Sequence, residues 1–225
     1  MGSRFGLSVA LTTPFDAAGR IAVPLMTEHA KACLDAGCSS VTLFGTTGEG
    51  ASVGTAERQA VIDAMLAAGI SADQLVAGVL VDAAEDAAEQ CRQALQRGAR
   101  NILLAPPSYF KNVGDDGLFG WFGAVFAALG PLARGMLLYN ISGMANFAAG
   151  ELRAMIESRR DDSRVESFVL ELLRHPVIPA VKAMVARQTG DERWLTVRPP
   201  LVPVALQERQ QLGAAYDRLF ATQAA

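Results

Sequence analysis

The chain has 225 residues, 51% of them hydrophobic, and a formal net charge of −3 at pH 7. This length is enough to bury one substantial core, so we expect one main domain. Lysine and arginine are scattered along an acidic chain, which disfavours a nucleic-acid binder and favours a small molecule as the partner.

Membrane and secretion signals are not evident. No apolar run approaches the roughly 18 residues that cross a bilayer, and residues 1–5 lack the basic and apolar regions of a secretory signal. We therefore expect a cytoplasmic protein.

The cysteines and histidines are few. Cys33, Cys38 and Cys91 are odd in number and form no Cys-x-x-Cys pair, so we expect reduced structural thiols rather than a disulfide framework or a zinc site. His29 and His175 are the only histidines. A histidine-rich metal site and a Ser-His-Asp triad are therefore disfavoured.

Up to about residue 150, short apolar runs alternate with longer segments of helical periodicity, which indicates repeated βα units. The runs are continuously apolar, as in parallel strands that are covered on both faces. The predicted strands are 6–11, 40–44, 75–80, 101–105 and 135–141. The predicted helices lie near 23–36, 55–69, 83–97 and 115–129, and Gly37, Gly69 and Gly98 mark the ends of the first three.

After residue 150 the strand pattern stops. Helices are predicted at 151–159, 165–174 and near 206–222, with a polar break at 159–163. The prolines of this region predict helix stops and extended pieces: Pro176, Pro179, Pro199, Pro200 and Pro203. We therefore divide the chain into a (β/α) portion, 1–160, and a C-terminal helical region, 161–225.

The most informative motif is Gly45-Thr46-Thr47-Gly48-Glu49-Gly50, directly after the second predicted strand. In sheets of βα units, active sites are assembled at the carboxyl ends of the strands. Glycines let backbone N–H groups approach an anion and the threonine hydroxyls add donors, so this loop is suited to a carboxylate. The alternative is an ordinary tight turn between a strand and a helix.

Four motifs occur in the order and spacing of one known family: residues 9–15 (VALTTPF), 45–49 (GTTGE), 104–109 (LAPPSY) and 138–141 (LYNI). With them, the chain resembles the dihydrodipicolinate synthase / N-acetylneuraminate lyase family of Schiff-base pyruvate aldolases. Residues 176–184 and 198–203 resemble that family's C-terminal helical region. The resemblance implies an α/β fold, a TIM (β/α)8 barrel with a C-terminal helical extension. Patterns for strands six to eight are lacking in this sequence.

The resemblance also implies roles for individual residues. Thr46 and Thr47, with Gly48 beside them, match the loop that binds the substrate carboxylate, and the threonines also join a proton relay. Tyr139 matches the tyrosine that transfers protons while the imine forms and breaks. Tyr109 matches a tyrosine that is contributed across a subunit interface, which implies a homodimer or homotetramer.

Two departures from the family pattern stand out. Met144, in the unfamiliar loop 142–147, occupies the region where dihydrodipicolinate synthases carry an arginine, which favours a relative acting on a different aldehyde or sugar-acid partner. The imine-forming lysine of the sixth strand is not identifiable. The sequence has three lysines, and each matches the role poorly. Lys31 lies on a predicted surface helix, Lys111 lies in a loop beside two aspartates, and Lys182 lies in the terminal helical region.

Three explanations of the missing lysine are open: a segment absent near residues 159–165, a truncated gene product, or a barrel rebuilt as an open sheet. We favour an absent segment, because five strands cannot close a barrel and open edges invite aggregation.

The predicted function is that of a lyase of the class I aldolase type, acting on pyruvate or a pyruvate-releasing 2-oxo sugar acid without a metal or organic cofactor. The competing hypothesis is a catalytically silent homologue that binds a 2-oxo acid. A doubly wound nucleotide-binding protein is disfavoured, because no strand leads into a Gly-x-Gly-x-x-Gly or Lys-Ser/Thr phosphate loop.

Overall fold

The computed structural model of the protein describes residues 6–111, 113–139 and 163–220. Five strands form one parallel sheet in the order β1-β2-β3-β4-β5. They are β1 (Ser8–Ala10), β2 (Ser40–Leu43), β3 (Leu75–Val79), β4 (Asn101–Leu104) and β5 (Met136–Leu138). Each lies inside one predicted apolar run, so the α/β class and all five strands are confirmed. Closure into an eight-stranded barrel stays a prediction, since β1 and β5 are the edges of this sheet.

Seven helices of ten or more residues occur in the described parts of the chain. They are α1 (Val23–Asp35), α2 (Thr55–Ala67), α3 (Ala84–Gln96), α4 (Asp115–Leu129), α5 (Ser163–Leu172), α6 (Val177–Thr189) and α7 (Leu206–Phe220). The predicted helices that fall in the described residues are confirmed, and the helix predicted at 151–159 lies outside them. Gly37, Gly69 and Gly98 follow α1, α2 and α3 with φ of 105°, 88° and 108°, as their predicted capping role requires.

Pro179 corrects the sequence prediction of a helix stop. It lies in the first turn of α6 instead, where the N–H that proline lacks would have no acceptor within the helix. The helix therefore runs on to Thr189 and ends at Gly190, whose φ is 68°.

Contacts divide the described residues into two compact units. The sheet unit comprises residues 6–13 and 23–139, and the helical unit comprises residues 14–22 and 163–220. The short segment 14–22 therefore packs with the helices rather than with its neighbours in sequence. The boundary predicted at 160/161 lies outside the described residues and stays a prediction.

The core of the sheet unit follows from its apolar strands. Every residue of β2 and β3 is buried, as expected for parallel strands that are connected through helices. One face of α3 carries short buried side chains, which let the helix pack closely: Ala87, Ala88, Cys91 and Ala94. Burial raises the pKa of the Cys91 thiol to about 12.

The register of the sheet brings the carboxyl ends of neighbouring strands to one edge. Leu43 of β2 pairs with Ala77 of β3, and Val79 pairs with Leu104 of β4. Leu104 in turn pairs with Leu138 of β5. The loops that follow these strands therefore emerge on the same side of the sheet.

The helical unit has its own apolar core. Its buried members are Ala180, Ala183, Met184, Val204 and Leu212. Phe168 of α5 and Tyr216 of α7 pack edge to face beside this core, with ring centroids 5.4 Å apart.

Phe15 anchors the segment 14–22 in the helical unit. Its ring is fully buried, and its centroid lies 4.6 Å from Lys182 Nζ and 4.4 Å from the Arg198 guanidinium. Arg198 also donates to the carbonyl oxygen of Gly19 at 2.7 and 3.0 Å. Phe15 and Gly19 of this segment are thus held to the C-terminal region by contacts within the helical unit.

Candidate active site

The loop of residues 45–50, hereafter the Gly/Thr loop, follows β2 and closes on itself. The Glu49 N–H donates to Thr46 O and the Gly50 N–H donates to Gly45 O, both at 3.0 Å. Phe44 and Glu49, on either side of the turn, have left-handed φ values of 57° and 51°. Such values are costly for residues with a side chain, so the surrounding contacts must hold this shape.

Two of the glycines in this region are required by space rather than by φ. A Cβ at Gly50 would lie 1.8 Å from Phe44 O, and a Cβ at Gly78 of β3 would lie 2.6 Å from the same oxygen. Both distances are far inside van der Waals contact. The backbone of the β2 exit therefore packs directly against the loop end and against β3.

Arg58 of α2 holds these three pieces of backbone together. It is buried, and its guanidinium donates to Val53 O at 3.0 Å, to Gly78 O at 2.7 Å and to Gly50 O. It also lies over the ring of Phe44, 5.0 Å from its centroid. Burial lowers the pKa of Arg58 to about 10, so the side chain is still a cation at neutral pH. Arg58 could not be identified from the sequence, because its helical context alone predicts a solvated arginine.

The chain after β1 meets the Gly/Thr loop. The Thr13 hydroxyl donates to Gly48 O at 2.6 Å, and a Cβ at Gly48 would lie 2.7 Å from Leu11 O. Thr12, between them, is 2% exposed. Residues 11–13 and the loop of β2 thus form one packed surface.

Two hydroxyl groups in this surface are buried without a hydrogen-bond partner among the described residues: Thr12 Oγ1 and Thr46 Oγ1. Buried hydroxyls normally form hydrogen bonds, so these two groups in neighbouring loops are candidate donors to a small polar ligand. Thr46 and Thr47 are themselves half-buried. Thr12 was not singled out as a site residue, although it lies in the VALTTPF motif that carried the resemblance.

Asp82, after β3, organises the loop that follows β4. Its Oδ1 accepts the N–H groups of Ser108 at 2.5 Å and Tyr109 at 3.0 Å. Its carbonyl oxygen accepts the indole N–H of Trp121 at 2.7 Å. Asp82 likewise could not be identified from the sequence, because nothing local to residue 82 reveals a contact with residues 26 and 27 positions later.

The two tyrosines predicted for the site have different surroundings. Tyr109 is 79% exposed and makes an edge-to-face contact with Phe110. Tyr139 directly follows β5, is half-buried, and donates its N–H to Leu104 O at 2.9 Å. Thr46 Oγ1 has no partner among the described residues, so no direct hydrogen bond joins it to Tyr139 there.

The three lysines lie in different environments. Lys31 is exposed on α1, and Lys111 is exposed in the loop after β4, where its ammonium group donates to Ser108 O at 2.6 Å. Lys182 of α6 is fully buried in the helical unit and donates to Thr196 O. Met144 and the loop 142–147 lie outside the described residues.

Metal-ligating side chains are dispersed over the described parts of the chain. In residues 6–111, 113–139 and 163–220, no three His, Cys, Asp or Glu side chains are grouped so that they could hold a metal ion. No helix there is long and apolar enough to span a bilayer.

Comparison with known proteins identifies the family. Residues 4–150 match the model of the dihydrodipicolinate synthetase family. The chain belongs to this family. The resemblance drawn from the four sequence motifs is therefore confirmed.

Individual family members show how far the likeness extends. The 4-hydroxy-tetrahydrodipicolinate synthase of Parasynechococcus marenigrum is 33% identical over 134 residues, which are 60% of this chain and 43% of that enzyme. The chain thus spans about half the length of the curated relatives it matches. The crystal structure of dihydrodipicolinate synthase from Agrobacterium tumefaciens superposes with a TM-score of 0.86 at 42% identity, over 96% of this chain and 100% of that one.

A more distant structure shares the fold alone. YagE from E. coli K12, solved in complex with pyruvate, superposes with a TM-score of 0.68 at 17% identity, over 95% of this chain and 98% of that one. The assignment of this chain to a family of lyases rests on the closer matches. The fold is shared by the close and the distant structures.

Proposed function

We propose that this chain acts as a class I aldolase-type lyase that makes or breaks a carbon–carbon bond of pyruvate or of a pyruvate-releasing 2-oxo acid. Family membership supports the lyase class. The observation that carries the choice of ligand is the buried hydroxyl of Thr46 in the Gly/Thr loop at the carboxyl end of β2, which has no hydrogen-bond partner among the described residues. A small carboxylate is the ligand class that such a loop suits.

In this proposal, the Gly/Thr loop binds the carboxylate of the 2-oxo acid. Thr46 and Thr47 donate their hydroxyls. Gly48 has no side chain that would obstruct an anion, so backbone N–H groups beside it can donate as well. The Thr13–Gly48 hydrogen bond supports a fixed position for this part of the loop.

Tyr139 is proposed as the proton-transfer residue. Imine formation adds an amine to the C2 carbonyl and expels water, and each step moves a proton that a positioned phenol can carry. The half-buried position directly after β5, at the edge where the Gly/Thr loop emerges, supports this role.

Tyr109 is proposed to act across the interface of a homodimer or homotetramer. Its side chain is 79% exposed, and Phe110 and Phe119 nearby in sequence are 61% and 81% exposed. Large exposed aromatic side chains are typical of protein–protein contacts. Light scattering of the purified protein tests this, since a monomer at micromolar concentration would contradict the proposal.

Reductive trapping tests the enzyme. The purified protein is incubated with pyruvate and borohydride, and its intact mass is compared with that of a sample without pyruvate. A mass gain of one reduced pyruvate, located on a lysine by peptide mapping, is expected. Thr46→Val should reduce the trapped fraction, and Thr27→Val, which removes a hydroxyl from α1, serves as the matched control.

A second function is favoured by the lysine positions. Two of the three lysines are exposed and the third is fully buried against Phe15 and Thr196. This distribution supports a catalytically silent homologue that binds a 2-oxo acid through the same loop. Saturable pyruvate binding without any trapped adduct would favour it over the lyase.

A further inference from the structure

Arg58 is a buried cation whose hydrogen bonds, in the described part of the chain, all go to main-chain carbonyl oxygens. Burying a charge without an opposite charge is expensive, and an apolar side chain of similar volume would usually be more stable. The three carbonyls belong to Gly50 at the end of the Gly/Thr loop, to Val53 after it, and to Gly78 of β3. The costly charge is therefore placed where it controls the backbone of that loop.

The backbone conformation of the loop requires stabilising contacts. Phe44, directly before the loop, and Glu49, near its end, hold left-handed φ values that side chains disfavour. The Arg58 guanidinium lies over the Phe44 ring on one side of the turn and bonds to Gly50 O on the other. One side chain thus holds both ends of the strained turn.

We propose that Arg58 is a positioning residue of the carboxylate site, which holds the Gly/Thr loop in the shape that presents the Thr46 and Thr47 hydroxyls. The role in ligand binding rests on the proposed function, whereas the role in ordering the loop does not. Arg58 touches no ligand in this scheme. It acts through Gly50, Gly78 and Phe44.

The planar guanidinium is essential to this role, because it donates in three directions at once. Lysine keeps the charge but presents a single ammonium group, which cannot reach Val53 O, Gly78 O and Gly50 O together. Arg58→Lys therefore separates geometry from charge, and Arg58→Ala leaves a space that a free guanidinium ion can enter. Arg97→Ala is the matched control, since Arg97 is partly exposed and pairs with Asp63 on the surface.

The experiment combines hydrogen exchange with ligand binding in the intact chain. Amide exchange is measured over residues 44–54, and pyruvate affinity is measured by calorimetry. In Arg58→Lys we expect exchange of these amides to rise by about tenfold or more and pyruvate to bind about tenfold more weakly, because charge-assisted hydrogen bonds are lost. Arg97→Ala should leave both quantities as in the wild type.

Chemical rescue adds a second readout. Millimolar guanidinium chloride is expected to restore the loop protection and the pyruvate affinity of Arg58→Ala, and sodium chloride at the same concentration is not. If Arg58→Ala fails to fold, Arg58→Lys decides the question by itself.

The inference is overturned if Arg58→Lys exchanges its loop amides and binds pyruvate as the wild type does. If the wild type binds no pyruvate, the proposed function fails, and the exchange data alone decide whether Arg58 orders the loop. If Arg58→Lys loosens the loop without weakening pyruvate, the role in ligand binding is wrong while the carboxylate site stands.

Discussion

The hydroxyl of Thr13 donates to the carbonyl oxygen of Gly48 at 2.6 Å, and both residues are buried. This bond joins the chain that leaves β1 to the loop that leaves β2. We expect Thr13→Val to lower the free energy of unfolding by about 1 kcal/mol, since valine keeps the volume but leaves Gly48 O without this donor. Urea unfolding measures the loss.

The same substitution should also weaken pyruvate binding, because Gly48 lies in the proposed carboxylate site. Thr27→Val removes a comparable hydroxyl bond, from Thr27 Oγ1 to Val23 O on α1, and serves as the control. Equal pyruvate affinities in the two variants would refute a link between Thr13 and the loop.

Gly50 should not tolerate any side chain. Gly50→Ala places a Cβ 1.8 Å from Phe44 O, so we expect a loss of about 3 kcal/mol or a failure to fold. Gly45→Ala, in the same loop, meets only Thr42 Cγ2 at 3.8 Å and should keep near-normal stability. Thermal unfolding of the two variants compares them directly, and similar melting temperatures would contradict the packing described for the β2 exit.

Asp82 should control the order of the loop after β4. Asp82→Ala removes the acceptor of the Ser108 and Tyr109 N–H groups, so we expect faster amide exchange at these two residues and a loss of about 1–2 kcal/mol. Asp73→Ala, which breaks an exposed pair with Arg100, is the control and should change little. Unchanged exchange at residues 108–109 would show that the carboxylate does not hold the loop.

Cys91 should make stability fall at alkaline pH. Burial raises the pKa of its thiol from 9.0 to about 12, so above pH 9 the unfolded chain loses the proton while the folded chain keeps it. This contribution to stability is full below pH 9 and is lost as the pH rises toward 12, by about 1.4 kcal/mol per pH unit. Urea unfolding at pH 8 and pH 10 should therefore show a steeper loss in the wild type than in Cys91→Ala. Equal losses would mean that the thiol titrates normally.

Phe15 should stabilise the helical unit through the contacts of its ring with the cationic groups of Lys182 and Arg198. Phe15→Leu keeps an apolar side chain but removes the ring that faces Lys182 and Arg198, so we expect a loss of about 2 kcal/mol. Phe119→Leu changes a ring that is 81% exposed and should be nearly neutral. Urea unfolding followed by circular dichroism distinguishes the two, and a neutral Phe15→Leu would show that the cations gain nothing from the ring.

The amino-acid sequence alone determined the order and type of most of the elements. Apolar runs and helical periodicity are local properties, so all five strands and six of the seven long helices in the described residues could be predicted within a few positions. The helix α6 was not predicted, because Pro176 and Pro179 indicated helix stops there. The helix ends could also be predicted locally, from Gly37, Gly69 and Gly98. The family motifs also marked residues 45–50 as the candidate carboxylate loop, because the glycines and threonines that suit an anion are adjacent in the chain.

The tertiary structure alone decided which side chains hold the backbone of residues distant in sequence. Arg58 and Asp82 look like solvated surface residues in their local sequence, and Lys182 like an ordinary helix lysine. Burial and distant carbonyl or amide partners set their roles: Arg58 with Gly78, Asp82 with Ser108, Lys182 with Thr196. These contacts join residues 14 to 26 positions apart through the packing of separate elements, and no local pattern records such packing.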